Sequence, residues 1–217
     1  MSRIVVVGGH GRTGKLVIDR LLKNGDEVVA TVRSASHMAE LVKRGVETAV
    51  LDLEASPLEA WVHTFSGADA VVFAAGSGDN ESSAIDRKGV QRTVRAAAKA
   101  KATRYVAISS LGASTPLPEA FKVPEMKEYF AAKKTANKLV RNSSLFWTII
   151  EPGELTEGRA TGKIAAATGG IDNKKISRAD VAGVVLAALA NDKTIGATIQ
   201  VVGGSTEIAK AIAAAIK

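Results

Sequence analysis

The sequence predicts an α/β fold, a doubly wound and mostly parallel sheet of about seven strands closed into one domain over residues 1–217. Three observations predict it. Short Val/Ile-rich runs alternate with helix-length amphipathic stretches from one end of the chain to the other. Most of these runs are apolar throughout rather than alternating, as strands covered on both faces must be. The first run also feeds straight into a glycine-rich turn and a helix.

The expected strands are Arg3–Val7, Val28–Val32, Thr48–Leu51, Ala70–Phe73, Tyr105–Ile108, Trp147–Ile150 and Ile199–Val202. Between them the 3.6-residue pattern predicts helices at Gly14–Lys23, Ser36–Lys43, Pro57–Thr64, Ser82–Ala100, Glu125–Asn142 and Ala179–Ala190. A last helix, Glu207–Ile216, follows the seventh strand. Asn24-Gly25 and Ser66-Gly67 stand where helices should stop, because glycine accepts the left-handed turn that ends them. Right-handed crossovers then make the sheet parallel. From 151 to 177 the pattern thins into Gly, Thr and Lys, and this stretch is expected to form a small substrate-side flap.

Composition narrows the chemistry. The chain has no cysteine, so it has no thiol nucleophile, disulfide framework or thiolate-held metal. His10, His37 and His63 share no ligand spacing, and no metal is expected. No run approaches the roughly 18–20 apolar residues that cross a bilayer, and the N-terminal run is too short for a signal peptide. A cytoplasmic protein without a membrane partner is expected. The net charge of +7 suits an anionic cofactor, and nucleic acid is not expected, since only 4% of residues are aromatic and stacking platforms are scarce. The oligomeric state, monomer or homodimer, stays open.

The segment RIVVVGGHGRTGKLVIDRLLKNG carries the phosphate-binding signal. Gly8, Gly11 and Gly14 form G-x-x-G-x-x-G: Gly8 for a tight reversal, Gly11 for close approach of a pyrophosphate, Gly14 for helix packing against the strand. His10, Arg12 and Thr13 belong to the same cofactor-binding loop. No Gly-Lys-Ser/Thr closes it, so it is not a nucleoside-triphosphate loop. At the end of the second strand, where an NAD site places a carboxylate, stand Arg33 and Ser34. A guanidinium there can grip a 2′-phosphate, which favours NADP, with NAD possible. After the third strand, Asp52 can accept from the adenine amino group with Leu53 against the ring, or Asp52 can simply make a turn. Ala74, Ala75 and Gly76 after the fourth strand are small enough for the backbone to approach a cofactor ribose, and equally suit a tight turn.

The fifth strand ends in Ser109-Ser110, at the edge of the sheet where ligands sit. Tyr129 and Lys133 are four apart and share one helix face. A lysine ammonium favours the phenolate, which a tyrosine needs for acid–base work near neutrality. Chance is the competing explanation, because the chain has 17 lysines for its two tyrosines.

Taken in order, GGHGRTG, TVRS, LDLE, VVFAAGSG, YVAISSLG, YFAAKK, WTIIEPGEL and ISRADVAGVVLAAL resemble the short-chain dehydrogenase/reductase superfamily, in its atypical NAD(P)H-binding (NmrA-like) branch. The resemblance spans nearly the whole chain and implies a Rossmann-type domain. It implies that Ser110 orients a carbonyl, Tyr129 donates or accepts the proton, and Lys133 holds the nicotinamide ribose and tunes Tyr129. It also implies that Ser109 borders the cofactor and that Pro152 and Gly153 form the turn beside the nicotinamide. The branch commonly has Arg-Pro-Gly there, and this chain has Glu151 instead, which could pair with Arg178 or a lysine. The function implied is NADPH-dependent reduction of a small carbonyl, quinone or flavin-like substrate. A non-catalytic NADP(H)-sensing regulator and an epimerase or dehydratase with retained NAD are the alternatives.

Overall fold

In a computed structural model that describes residues 1–76, 85–115, 124–172 and 174–216, all seven expected strands form and lie in one sheet. They are β1 (Arg3–Val7), β2 (Glu27–Val32), β3 (Glu47–Val50), β4 (Ala70–Phe73), β5 (Arg104–Ile108), β6 (Phe146–Pro152) and β10 (Ala197–Gly203). These seven are parallel, in the order β3-β2-β1-β4-β5-β6-β10. Two more, β8 (Lys163–Ala167) and β11 (Thr206–Glu207), extend the sheet to nine strands beyond β10, with β8 antiparallel to both β10 and β11. A separate pair, β7 (Leu155–Thr156) and β9 (Ile176–Ser177), lies beside it. Thus the stretch 151–177 contributes β8 to the main sheet as well as the short pair. Its sequence, KIAAA, is alanine-rich and carries little strand propensity, so partner pairing decides its conformation.

The helices are α1 (Arg12–Lys23), α2 (Met38–Val42), α3 (Leu58–Phe65), α4 (Val90–Ala100), α5 (Pro124–Arg141), α6 (Arg178–Leu189) and α7 (Ile208–Ala215). A 3-10 turn, Ala35–His37, precedes α2, and a π-helical turn, Ile85–Gly89, precedes α4. The expected start of the fourth helix at Ser82, and Ser77 and Gly78 of VVFAAGSG, lie outside the described residues. Gly25 and Gly67 do sit at positive φ directly after the caps of α1 and α3. Among the described residues, no helix is long and apolar enough to cross a membrane.

Two apolar layers sandwich the sheet. Ile4, Val6, Val28 and Ala30 point to one side, where α1, α6 and α7 cover them. Val5, Val7 and Val29 point to the other, against Trp61 and Phe65 of α3, Val94 and Ala97 of α4, and Ala136 and Val140 of α5. Burial on both faces is why these strands are apolar throughout. It leaves the carboxyl ends of the strands, and the loops that follow them, as the place for polar chemistry.

Candidate functional site

The chain winds outward through β1, β2 and β3, then crosses back to place β4 on the other side of β1. Loops leaving β1 and β4 therefore diverge, and such a switch point opens a crevice at the carboxyl edge. A cleft of about 420 Å³ lies there. Its floor is the turn after β1. Gly8 adopts φ +80°, and a Cβ on it would stand 2.8 Å from the Ala75 backbone after β4. Gly14 does not line the cleft: it packs the helix down, since a Cβ there would meet the Gly8 carbonyl oxygen at 2.3 Å. Gly11 precedes α1, whose start has no side-chain cap and no acidic residue in its first turn. The helix thus presents free N–H donors and the positive end of its dipole to the cleft.

Gly8, His10, Gly11, Arg12 and Thr13 all line this end of the cleft. The next wall is built from Thr31, Val32 and Arg33 at the end of β2, with Arg33 exposed. Ser34 stands outside the lining and instead caps the 3-10 turn, accepting from Ser36 N at 3.3 Å. His37, which the sequence did not single out, stacks on His10 with ring centroids 3.8 Å apart. Burial, Lys15 and His37 together lower the pKa of His10 more than Glu40, 3.3 Å from its Nε2, raises it. Asp52 makes the turn offered as one of its two readings, its Oδ1 accepting from Glu54 N and Ala55 N at 2.7 and 2.9 Å, and it also borders the cleft. Leu53, Ala74, Ala75 and Gly76 complete this region.

The far end of the cleft gathers Ile108, Ser109, Tyr129, Lys133, Leu155 and Arg178. Lys133 is buried, its Nζ 2.8 Å from Asp86 Oδ1 and 5.6 Å from the centroid of the Tyr129 ring. Burial pulls the Lys133 pKa down, but the facing Tyr129 oxygen and Asp86 more than offset it, so the ammonium is held above its ordinary value. Asp86 was not singled out by the sequence; its π-helical turn carries no motif, and Lys133 is remote along the chain. The second tyrosine, Tyr105, is wholly buried with its hydroxyl 2.8 Å from Thr93 Oγ1, and burial pushes its pKa up. It takes no part in the cleft.

Of the two serines after β5, Ser109 borders the cleft and Ser110 does not. Strand alternation explains this: Tyr105, Ala107 and Ser109 share the α5 side of the sheet. The Ser109 hydroxyl is buried without a hydrogen-bond partner among the described residues. It faces both the cleft and a cavity of about 10 Å³ bordered by Asp86, Lys133 and Asn137. Ser110 Oγ makes only a long contact, 3.4 Å, to the Leu111 carbonyl. Pro152 and Gly153 are buried behind the cleft, where the Pro152 carbonyl accepts from Leu111 N at 2.9 Å. Among the described residues, Glu151 is paired neither with Arg178 nor with a lysine. Arg178 and Arg12 instead converge on Glu157 Oε1 at 2.6 and 3.1 Å, and Glu151 is buried in a separate polar cluster.

The donor set fits a nicotinamide dinucleotide. A bare backbone turn at Gly8, uncapped amides at α1, the Arg12 and Arg33 guanidiniums and an orphaned Ser109 hydroxyl lie along one cleft. Comparison with known proteins agrees. A family model described as NAD(P)H-binding matches residues 8–192. The "uncharacterized sugar epimerase YhfK" of Bacillus subtilis is 32% identical over 215 residues, covering 97% of this chain and 98% of its own. The solved "putative NAD-dependent epimerase/dehydratase" of Bacillus halodurans matches with a TM-score of 0.89 and 34% identity, covering 99% of this chain and 100% of that one. The oxidoreductase ylbE of Lactococcus lactis matches with a TM-score of 0.88 and 27% identity, covering 98% and 95%.

Proposed function

The chain belongs to the NAD(P)H-binding family, and from that membership we propose that it is an NADPH-dependent oxidoreductase acting on a small carbonyl, quinone or flavin-like compound. One observation carries this reading. Tyr129 and Lys133, the latter paired with buried Asp86 behind it, line one cleft with the glycine turn at the head of α1, so acid–base groups stand where a cofactor would end. The preference for NADPH rests on Arg33 at the end of β2, where a carboxylate would repel a 2′-phosphate.

When bound, the reduced cofactor supplies a hydride. Tyr129 gives its hydroxyl proton to the substrate oxygen as that oxygen gains charge. Ser109, whose buried hydroxyl has no partner among the described residues, takes the carbonyl-orienting role that the resemblance gave to Ser110. Lys133 offsets the negative charge left on the Tyr129 oxygen, and Asp86 holds Lys133 in place. The substrate carbon gains the hydride and its oxygen the proton, giving an alcohol.

The test is incubation of the purified protein with NADPH and a panel of quinones, flavins, aldehydes and ketones, wild type beside Tyr129→Phe. We expect oxidation by the wild type with at least one acceptor and a loss of about 10²–10⁴-fold in the variant. Equal rates remove Tyr129 from the chemistry. Tight binding without turnover on any acceptor leaves the sensing regulator in its place. The names carried by the two Bacillus relatives favour a second reading, an epimerase or dehydratase that keeps its nicotinamide cofactor. That reading requires conversion of a sugar substrate with no net consumption of NADPH.

A further inference from the structure

We propose that Glu151 is a positioning residue for this site, a buried carboxylate that ties the loop after β5, helix α5 and the loop after β8 to one another. The inference rests on the oxidoreductase reading for its kinetic consequences, but its structural core stands on geometry alone.

Glu151 is the second-last residue of β6, beside Ser109 just past β5, on the face that α5 covers, and is 0% exposed. Every partner the carboxylate has among the described residues is a donor. Ser114 Oγ and Asn137 Nδ2 donate to Oε1, the latter at 2.8 Å, and Gln200 Nε2 donates to Oε2 at 3.2 Å. The amide orientation of Gln200 is fixed by its other end: Oε1 accepts from Gly170 N at 3.0 Å, so Nε2 must face Glu151 and Thr115 Oγ1, 2.9 Å away. Ser114 is equally constrained, because its oxygen also accepts from Asn137 Nδ2 at 3.1 Å and from Arg141, leaving its one proton for Glu151.

Each of these donors belongs to a different part of the site. Ser114 and Thr115 close the loop that carries Ser109 and Ser110. Asn137 stands one turn beyond Lys133 and two beyond Tyr129 on α5, and borders the same small cavity as Ser109, Lys133 and Asp86. Gln200 reaches from β10 to the loop after β8. A carboxylate can serve all three donors. Protonation removes the charge that strengthens these bonds and leaves the same three donors on weaker, neutral acceptor oxygens.

Burial raises the Glu151 pKa, opposed by Ser114, Gln200, Arg141 and Asn137. Arg141 is the charged group that faces it from α5, acting through Ser114, while Lys133 and Asp86 lie beyond Asn137 across the cavity. Protonation of Glu151 therefore loosens the catalytic loop and helix together as pH falls.

The experiment compares wild type, Glu151→Gln, Glu151→Asp and Ser114→Ala by three readouts. These are NADPH binding by fluorescence, the pH profile of NADPH oxidation with the best acceptor of the panel, and hydrogen exchange of segments 109–115 and 126–141. For Glu151→Gln we expect NADPH affinity within about twofold of wild type, kcat at least tenfold lower, an acid limb erased from the profile, and exchange at least tenfold faster in both segments. Glu151→Asp should recover part of kcat and keep the limb. Ser114→Ala removes one donor from the carboxylate, so the limb should move to higher pH, and this variant decides the matter if Glu151→Gln fails to fold. A wild-type acid limb left in place by both Glu151→Gln and Ser114→Ala, or exchange unchanged in Glu151→Gln, overturns the proposal. Wild type that neither binds nor oxidises NADPH overturns the oxidoreductase reading instead, and the exchange data still decide the role of Glu151.

Discussion

Lys133 and Asp86 form an ion pair inside the molecule, Nζ 2.8 Å from Oδ1, with side chains 7% and 1% exposed. The lysine comes from α5 and the aspartate from the π-helical turn ahead of α4, so the pair pins together the two elements on one flank of the cleft. Such turns are frequent at functional sites, and here the turn leading into α4 sets the Asp86 carboxylate against an ammonium.

Removing one partner leaves the other charge buried and uncompensated. Asp86→Ala should lower unfolding stability by about 3–5 kcal/mol, measured by urea denaturation. The double variant Asp86→Ala, Lys133→Met removes both charges and should recover most of that loss, because apolar replacements of buried pairs are often neutral. If the double variant is as unstable as the single one, the pair is not what ties α5 to the turn.

The two serines after β5 offer a sharper kinetic test. Ser109 borders the cleft and carries a buried hydroxyl with no partner among the described residues, whereas Ser110 lies outside the lining. Ser109→Ala should therefore cost more in kcat than Ser110→Ala, by about 10-fold or more, with both variants retaining NADPH affinity. The opposite ranking, measured on the same acceptor, would restore Ser110 to the carbonyl.

The contrast between these serines marks the limit of what the sequence could say. The apolar runs reported the seven parallel strands because burial on both faces writes itself into residue type. The glycine turn was legible because the positive φ of Gly8 and the packing of Gly14 on the Gly8 carbonyl are set within one strand–turn–helix unit. Strand β8 was not, since Ala165, Ala166 and Ala167 become strand only through pairing with β10. Choosing Ser109 over Ser110 needs the pleat of β5 past its last paired residue, and finding Asp86 opposite Lys133 needs the crossing of α4 and α5. Glu151 was visible as a departure from its resemblance, but its partners Ser114, Asn137 and Gln200 are scattered over three elements. Long-range juxtaposition of that kind leaves no periodicity to read.

Cofactor choice should turn on Arg33, which lines the cleft together with His37 and Asp52. A charge-assisted contact to a 2′-phosphate is worth about 1.5–3 kcal/mol. Arg33→Asp should thus weaken NADP binding about 10- to 100-fold while changing NAD by less than about threefold, read by calorimetry. Equal weakening of both nucleotides would show that Arg33 serves the shared part of the molecule.

Asp180 gives the fold a pH dependence whose sign can be worked out. Its carboxylate accepts from Thr161 N at 2.9 Å, Gly162 N at 2.8 Å and Ser177 Oγ at 2.8 Å, while Ser177 Oγ caps α6 by accepting from Asp180 N at 2.9 Å. Burial acts to raise the pKa, but these donors outweigh it and hold the group below its ordinary value. A depressed carboxyl stabilises the fold above its unfolded pKa, about 4, and the contribution disappears as pH falls through the lower folded value. Asp180→Asn replaces an acceptor oxygen by a donor among four donors, Thr161 Oγ1 at 3.1 Å being the fourth, and should cost about 1–3 kcal/mol at pH 7. In urea unfolding followed from pH 7 to pH 3, the gap between wild type and Asp180→Asn should narrow on the acid side, because the wild type loses its ionised form there. A gap that widens with acid would mean that Asp180 is protonated in the native protein and that the loop from Thr161 to Gly162 is held by something else.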